Sequence, residues 1–259
     1  MADSSVERLY VLNGGIAVQP DRSVYSPGIG TGEQVILSCH AYLIRHARGW
    51  LLFDTGIDDG LWDVPGGRVI AHGIRGIVTR RIRDQLGDVG IGAEEVDRVI
   101  LSHAHFDHVG NARLFERATW HVQRAEYAAM FGDSPGAYGF DPDLYAGLRE
   151  ARIELGEGDV DVLGDGSVRI LATPGHTPGH CSLLVRTPRA GSILLSADVA
   201  HYRSNLEQRR VPAFNSDPEA SLRSMERIEA IAREHGATIW LNHDIIESAS
   251  IPKAPGFIE

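Results

Sequence analysis

The sequence predicts a mixed fold of α-helices and β-strands. Short apolar runs recur along the chain with turn residues between them, which is typical of strands. Between these runs lie segments in which apolar residues recur at helical spacing. The chain has 259 residues, enough for one large domain or two small ones, and it shows no internal repeat or low-complexity segment.

The first predicted strand, residues 9–12, is followed by Asn13, Gly14 and Gly15, which are residue types that favour a turn. Residues 41–44 and 50–53 are apolar runs separated by five residues, and this spacing predicts a β-hairpin. The other predicted strands are apolar or alternating runs at residues 96–101, 168–171, 182–185, 193–195 and 239–241.

The strongest helical signal lies near the C-terminus. Asp217 is expected as the N-cap, with Pro218 at the first helical position. Glu219 would favour the helix dipole, and Gly236 is expected to end the helix. Four further helical segments are predicted at residues 76–86, 111–115, 124–131 and 142–150.

Composition restricts the classes of function. The hydrophobic fraction of 43% and the charged fraction of 23% are those of an ordinary soluble protein. A net charge of −10 argues against a nucleic-acid partner, which usually requires a basic face. No run approaches the ~18 apolar residues of a membrane span, and residues 1–8 lack a signal-peptide pattern. We therefore expect a cytoplasmic protein with no membrane contact.

The two cysteines, Cys39 and Cys181, are too few for a disulfide framework. We interpret both as buried thiols, the common state of free cysteine. Cys181 directly follows His180, so a position near a functional site is a second interpretation for that thiol.

Four side chains that can bind metal ions follow a predicted strand directly, in the order His-x-His-x-Asp-His. On an extended backbone, His103 and His105 point to the same side and can bind one ion together. Asp107 and His108 lie just beyond them and can face a second ion. Imidazole and carboxylate suit zinc and similar divalent metals. The motif thus predicts two adjacent ions and a hydrolase that forms its nucleophile from water.

Three later residues are candidates for the missing ligands: His176, Asp198 and His243. Asp198 and His243 each follow an apolar, strand-like run. Each candidate also has a simpler interpretation, as a turn residue, a helix cap or a buried histidine at the end of a strand. The motif at residues 103–108 favours metal binding, because two ions need more ligands than the motif supplies.

This order of ligands is similar to that of the metallo-β-lactamase superfamily, and within it resembles the N-acyl homoserine lactonases of the quorum-quenching group. The resemblance extends from about residue 10 to residue 244. It implies an αββα sandwich, with two mixed β-sheets flanked by helices, in a single domain over residues 1–259. It also implies that Asp198 bridges two ions, each with four protein ligands. The implied ligand sets are His103, His105, His176 and Asp198 for one ion, and Asp107, His108, His243 and Asp198 for the other.

The resemblance implies a function as well. A metal-bridging hydroxide would open a lactone ring, with an N-acyl homoserine lactone as the expected small-molecule substrate. Asp107 would be both a ligand and a proton shuttle. Zinc is the expected metal, with manganese, iron or cobalt as alternatives for the same ligands. The oligomeric state stays open, with a homodimer as one option.

Substrate contacts depart from the family pattern. The related lactonases place a tyrosine three residues after the bridging aspartate, where its hydroxyl can donate to the substrate carbonyl. Here His201 occupies that position and Tyr202 follows it, so either is a candidate donor to the oxyanion. Phe106 is a further expected substrate contact, and the loop at residues 132–139 is expected to border the substrate entrance.

Four alternative functions share these metal ligands. One is the hydrolysis of another lactone, such as a 4-pyridoxolactone-like ring or a γ-lactone. A glyoxalase II-like thioesterase is disfavoured because little sequence follows His243 to form a glutathione-binding domain. A β-lactamase is disfavoured by the expected absence of a secretion signal and by Asp198 as the bridge. A non-enzymatic metal-binding module is disfavoured by a complete ligand set that leaves a position for hydroxide.

Two more residues are expected to support the metals without binding them: Asp54 by orienting a ligand histidine, and His180. The remaining histidines are interpreted as surface or structural residues: His40, His46, His72, His121 and His235.

Overall fold

The computed structural model describes residues 6–71 and 73–259. His72, interpreted above as a surface or structural histidine, lies outside the described residues, and so do residues 1–5 of the N-terminal segment. The described chain forms two β-sheets that pack face to face, with helices on the outer face of each.

The first sheet is mixed and has eight strands in the order β4-β5-β1-β2-β3-β6-β7-β8. Strands β1, β2 and β3 are antiparallel neighbours, whereas β3, β6, β7 and β8 run parallel. The strands are β1 (Val6–Gln19), β2 (Val35–His46), β3 (Gly49–Phe53), β4 (Arg68–Ala71), β5 (Ile74–Ile77), β6 (Val96–Ile100), β7 (Thr119–Gln123) and β8 (Arg152–Gly156).

The second sheet is also mixed and has five strands in the order β13-β12-β11-β10-β9. Only β12 and β13 pair in parallel, and the other neighbours are antiparallel. The strands are β9 (Val160–Asp161), β10 (Val168–Ala172), β11 (Cys181–Arg186), β12 (Ser192–Leu195) and β13 (Thr238–Trp240).

Six α-helices join or cover the strands in the described part of the chain. They are α1 (Ile82–Val89), α2 (Phe106–Val109), α3 (Arg124–Phe131), α4 (Arg203–Gln208), α5 (Pro218–His235) and α6 (Ile245–Ser248). Short 3-10 turns occur elsewhere. Among the helices of the described residues, none combines the length and the apolar character needed to cross a lipid bilayer.

Successive side chains of a strand point to opposite faces of its sheet, so neighbouring residues of the second sheet pack in different clusters. Leu183 of β11 lies in the cluster between the two sheets, together with Phe53 of the first sheet. Its neighbour Leu184 lies on the opposite face, in a cluster with Met225 and Ile228 of α5. The resulting layers are helix, sheet, sheet and helix, and the αββα prediction is confirmed.

Several predicted elements are confirmed with little change. The hairpin is formed by β2 and β3, with Tyr42 paired to Phe53. Helix α3 covers the predicted residues 124–131, and α5 begins and ends where the capping residues indicated. The Asp217 side chain accepts a hydrogen bond from the Ala220 amide at 2.9 Å.

The predicted turn after residue 12 is wrong, because β1 continues to Gln19 with an irregular register between Asn13 and Ile16. The glycines at this point do not reverse the chain. They allow two backbone segments to approach each other closely. A Cβ atom on Gly14 would lie 2.8 Å from the Cα atom of Gly56. Such contacts require a residue without a side chain.

The predicted helix at residues 76–86 is wrong in its first part. Residues 74–77 form β5, which pairs with β1, and α1 begins only at Ile82. Asp59, distant in sequence, accepts hydrogen bonds from the Ile82 and Arg83 amides at 2.8 and 3.2 Å and so fixes the start of α1.

Two other helical predictions are only partly correct. Residues 142–150 form two 3-10 turns, Pro142–Leu144 and Ala146–Arg149, and residues 111–115 contain one, Ala112–Phe115.

Strands β7 and β8 were not predicted. They extend the first sheet in parallel pairing, and β8 carries mostly exposed or half-buried residues that give no clear apolar run.

Candidate metal centre

The motif occupies the loop between β6 and α2. His103 and His105 lie on the loop, and Asp107 and His108 lie in the first turn of α2. The later candidates come from the second sheet and its connections. His176 lies between β10 and β11, Asp198 follows β12 and His243 follows β13. The fold brings all seven predicted ligands together in three overlapping groups: His103, His105, His176 and Asp198; His108, Asp198 and His243; and Asp107 and His243 with Cys39.

The first group contains His103, His105, His176 and Asp198, with ligand atoms that all lie within 4.8 Å of one another. Nδ1 of His105 lies 2.9 Å from Nε2 of His103 and 2.9 Å from Nε2 of His176. Nε2 of His176 lies 3.3 Å from Oδ2 of Asp198. These four residues match the set implied for the first ion.

The second group is built around the other oxygen of Asp198. Oδ1 lies 3.1 Å from Nε2 of His108 and 3.0 Å from Nε2 of His243. Oδ2 of Asp107 lies 3.7 Å from the same nitrogen of His243. Each carboxylate oxygen of Asp198 therefore faces one group.

The donor atoms fit divalent metal ions. Nε2 of His108 is buried and has no hydrogen-bond partner among the described residues. The imidazoles of His103, His105 and His176 turn their nitrogens toward one another, and the rings of His103 and His176 are buried. Buried polar atoms require partners, and imidazole with carboxylate is a donor set that zinc and similar ions prefer.

A cavity of about 500 Å³ opens beside both groups. Its polar lining includes His105, Asp107, Asp198, His201 and His243. Its apolar lining includes Val24, Tyr25, Ile74, Phe106, Ala213 and Phe214. Residues 136–139 border the same cavity, in agreement with the position predicted for the loop at residues 132–139.

Comparisons with known proteins place the chain in a family. A family model of the metallo-beta-lactamase superfamily matches residues 35–234. The chain belongs to this superfamily. The N-acyl homoserine lactonase AttM of Azorhizobium caulinodans is 30% identical, and the match covers 97% of this chain and 98% of AttM. The N-acyl homoserine lactonase AiiA of Bacillus thuringiensis subsp. kurstaki is 31% identical, over 98% of this chain and 100% of AiiA.

A solved structure is similar over nearly the whole length. It is an N-acyl homoserine lactone hydrolase with the product N-hexanoyl-L-homoserine bound at its catalytic metal centre. It matches this chain with a TM-score of 0.86 and 30% identity, over 98% of this chain and 100% of its own. The resemblance to the superfamily and to its N-acyl homoserine lactonases, inferred above from the motifs, is confirmed.

Electrostatics keep three of the proposed ligands, Asp198, His103 and His176, in the form that binds metal ions. Burial favours the neutral acid, but His243, His108 and His103 hold the pKa of Asp198 well below its usual range. Burial holds the pKa values of His103 and His176 well below the usual histidine value. At neutral pH these groups are thus a carboxylate and neutral imidazoles, the forms that bind metal ions.

Residues around the proposed ligands form hydrogen bonds with them or with their neighbours. Oδ2 of Asp54 lies 2.8 Å from Nδ1 of His108, and Oδ1 of Asp54 accepts a hydrogen bond from the Ser102 amide at 2.7 Å. Asp54 has a φ of 60°, a conformation that non-glycine residues adopt at a cost. His180 lies outside both ligand groups, and its Nε2 accepts a hydrogen bond from the Asp198 amide at 3.0 Å. These positions agree with the supporting roles expected for Asp54 and His180.

The two candidate oxyanion donors lie in different surroundings. His201 lines the cavity, with Nε2 3.2 Å from Oδ2 of Asp198 and its ring stacked on His243. Tyr202 is absent from the lining residues of this cavity. The hydroxyl of Tyr202 is buried and has no hydrogen-bond partner within the described ranges.

The other histidines lie outside both ligand groups. His40 and His46 are buried against Ser248 and Asp165, and His121 lies 3.4 Å from Glu154. His235 is exposed in the last turn of α5. The interpretation of these four as structural or surface residues agrees with the described structure.

Sequence reasoning missed four residues that complete the surroundings of the ligands. Asn215 places Oδ1 2.9 Å from Nδ1 of His176. Glu126 of α3 accepts a hydrogen bond from the Ala104 amide, within the metal motif. Cys39 of β2 contacts Asp107, and Tyr25 lines the cavity with its ring 4.6 Å from His201. No spacing rule indicates them, because each comes from a distant part of the chain.

Proposed function

We propose that this chain is a dinuclear metal-dependent N-acyl homoserine lactonase. The observation that carries the proposal is the carboxylate of Asp198, shared between two ligand groups beside a largely apolar cavity. The prediction of a metal-dependent hydrolase that acts on ester bonds is confirmed by the lactonases of similar sequence.

His103, His105 and His176 would hold one ion, and Asp107, His108 and His243 the other, with Asp198 between them. Such ions, when bound, lower the pKa of a bound water to about 7 and polarise a carbonyl oxygen. Zinc is the proposed metal, and manganese, iron or cobalt could use the same ligands.

Asp107 is the proposed proton carrier. Its carboxylate lines the cavity and lies beside Nε2 of His243, so it can meet both the attacking water and the bond that breaks. It takes the proton of the attacking water and delivers it to the ring oxygen as the alkoxide leaves. The product is the ring-opened hydroxy acid.

His201 is the favoured donor to the carbonyl oxygen. Its ring lines the cavity beside Asp198, whereas Tyr202 does not line this cavity and its hydroxyl is buried. Preorganised donors at such a position stabilise the developing oxyanion. Phe106 and Phe214 supply apolar surface for the acyl chain of the substrate.

A small-molecule lactone is the proposed partner, and the acidic net charge of −10 disfavours a nucleic acid. The cytoplasmic location expected from the sequence belongs to the same proposal, and the oligomeric state stays open, with a homodimer as one option. A single domain over residues 1–259 is likewise proposed.

A substrate panel tests the function. We expect the zinc-loaded protein to open N-acyl homoserine lactones faster than other lactones, thioesters or β-lactams, with the hydroxy acid measured by mass spectrometry. Metal analysis should find about two ions per chain. Two bound ions without turnover of any lactone would refute the proposed activity, and one ion or none would refute the dinuclear centre.

A further inference from the structure

Cys39 lies against the second ligand group. Its side chain is completely buried on β2, and Sγ donates a hydrogen bond to Oδ2 of Asp107 at 3.4 Å. Sγ of Cys39, a carboxylate oxygen of Asp107 and a ring nitrogen of His243 all lie within 4.8 Å of one another. A thiol, a carboxylate and an imidazole therefore converge on one space from three different parts of the chain.

A second observation marks this space as a binding site. Nε2 of His108 is buried without a hydrogen-bond partner among the described residues, and it lies 3.9 Å from Oδ2 of Asp107. The same nitrogen lies 3.1 Å from Oδ1 of Asp198, so the His108 ring faces the second ligand group. Cys181 has no such surroundings, because it lies in the apolar core between the sheets with Sγ directed at the carbonyl of Leu101.

We propose that Cys39 is a further ligand of the second metal ion and binds it as a thiolate. This inference rests on the proposed dinuclear centre. On binding, the S–H bond breaks, the sulfur forms a bond to the ion, and the proton leaves to solvent. No electron is transferred, since the metal keeps its charge and the sulfur its oxidation state.

The consequence is a difference between the two sites. Thiolate is a soft ligand that favours zinc, whereas carboxylate and water suit manganese and magnesium. The first group, His103, His105, His176 and Asp198, offers no sulfur. The second site therefore selects zinc or cobalt over manganese more strongly than the first site does.

Cobalt(II) substitution tests the ligand directly. The full chain loaded with cobalt should show thiolate-to-cobalt charge-transfer absorption in the near ultraviolet. The chain has only two cysteines, so two variants assign the signal. Cys39→Ser should lose the absorption while it still binds cobalt, and the matched control Cys181→Ser should retain it. Unfolding midpoints and a second variant, Cys39→Ala, separate loss of the ligand from loss of the fold.

Metal competition gives a second readout that needs no substrate. The preference of the second site for zinc over manganese should fall by roughly tenfold or more in Cys39→Ser, at least the loss produced by weaker outer partners. Two bound cobalt ions without charge-transfer absorption would overturn the role of Cys39 and leave the dinuclear centre standing. Fewer than two cobalt ions in the wild-type protein would overturn both proposals.

Discussion

Asp198 shows how much a single residue contributes to this centre. It is buried in a 3-10 turn after β12, where its oxygens face two separate groups of imidazoles. A buried carboxylate alone would be neutral, but the neighbouring histidines keep its pKa low. Its charge and its position together make two adjacent cation sites possible.

Asp54 should control the affinity of the second site through His108. In Asp54→Asn the carboxylate that faces Nδ1 of His108 is replaced by a neutral amide, so the ring loses its negatively charged partner. We expect metal affinity to fall about 10- to 100-fold, measured by competition with a chromophoric chelator. Asp88→Asn, at an exposed carboxylate, is the control. If Asp54→Asn bound metal as tightly as Asp88→Asn does, Asp54 would not control the metal affinity of the second site.

His201 and Tyr202 can be separated kinetically. If His201 donates to the oxyanion, His201→Ala should lower kcat roughly 100-fold or more, with a smaller change in KM. Tyr202→Phe should cause a smaller loss of kcat than His201→Ala, because Tyr202 does not line the cavity and its hydroxyl is buried. Steady-state kinetics on one lactone measure both losses. A larger loss of kcat in Tyr202→Phe than in His201→Ala would assign the donor role to Tyr202.

Helix α5 is connected by hydrogen bonds to the loop that carries His176. Its N-cap residue, Asp217, donates its amide to the carbonyl of Gly175, which directly precedes the proposed ligand His176. Ser221 of the same helix accepts a hydrogen bond from Asn215, which orients His176. The start of the helix and the ligand loop are therefore positioned together.

Asp217→Ala should weaken the start of α5. Loss of the side-chain cap to the Ala220 amide removes one partner of an exposed helix end, and we expect the free energy of unfolding to fall by about 1 kcal/mol. Urea denaturation measures the change. Asp217→Ser retains a capping oxygen and should lose much less. Identical midpoints for the Ala variant and the wild type would contradict the capping role.

At the scale of the whole molecule, Glu126 joins the two halves of the sandwich. Its carboxylate accepts hydrogen bonds from Ala104, in the motif loop of the first sheet, and from Thr177 and Gly179, in the ligand loop of the second. The side chain is completely buried. One acidic group therefore holds together the two loops that supply His103, His105 and His176.

Glu126 should make stability depend on pH. Burial raises its pKa from 4.5 to about 7, although its three hydrogen-bond donors favour the charged form. The folded state thus binds this proton more tightly than the unfolded state. The contribution of Glu126 to the free energy of unfolding is fully present below pH 4.5 and is lost as the pH rises to about 7.

Glu126→Gln removes this titration. Between pH 4.5 and 7, the wild type should lose about 3 kcal/mol of unfolding free energy relative to the variant. Urea denaturation of the metal-free proteins measures the difference without interference from metal loss. Glu157→Gln, at an exposed carboxylate, should follow the wild type. Parallel pH curves for wild type and Glu126→Gln would contradict the raised pKa.

The sequence by itself identified the superfamily and the types of the proposed ligands. His103, His105, Asp107 and His108 lie on one short segment. Their capacity to bind metal ions can therefore be predicted from the local sequence alone. The hairpin of β2 and β3 and the capped helix α5 were predictable for the same reason, since turn and capping preferences act between near neighbours.

Only the tertiary structure decided which distant residues meet. The carboxylate of Asp59 sets the start of α1, and the close approach of Gly14 to Gly56 keeps β1 extended where a turn was predicted. Glu126 and Cys39 reach the proposed metal centre from elements that carry no motif. Burial, hydrogen bonding and packing between separate parts of the chain determine such contacts, and local sequence patterns contain little information about them.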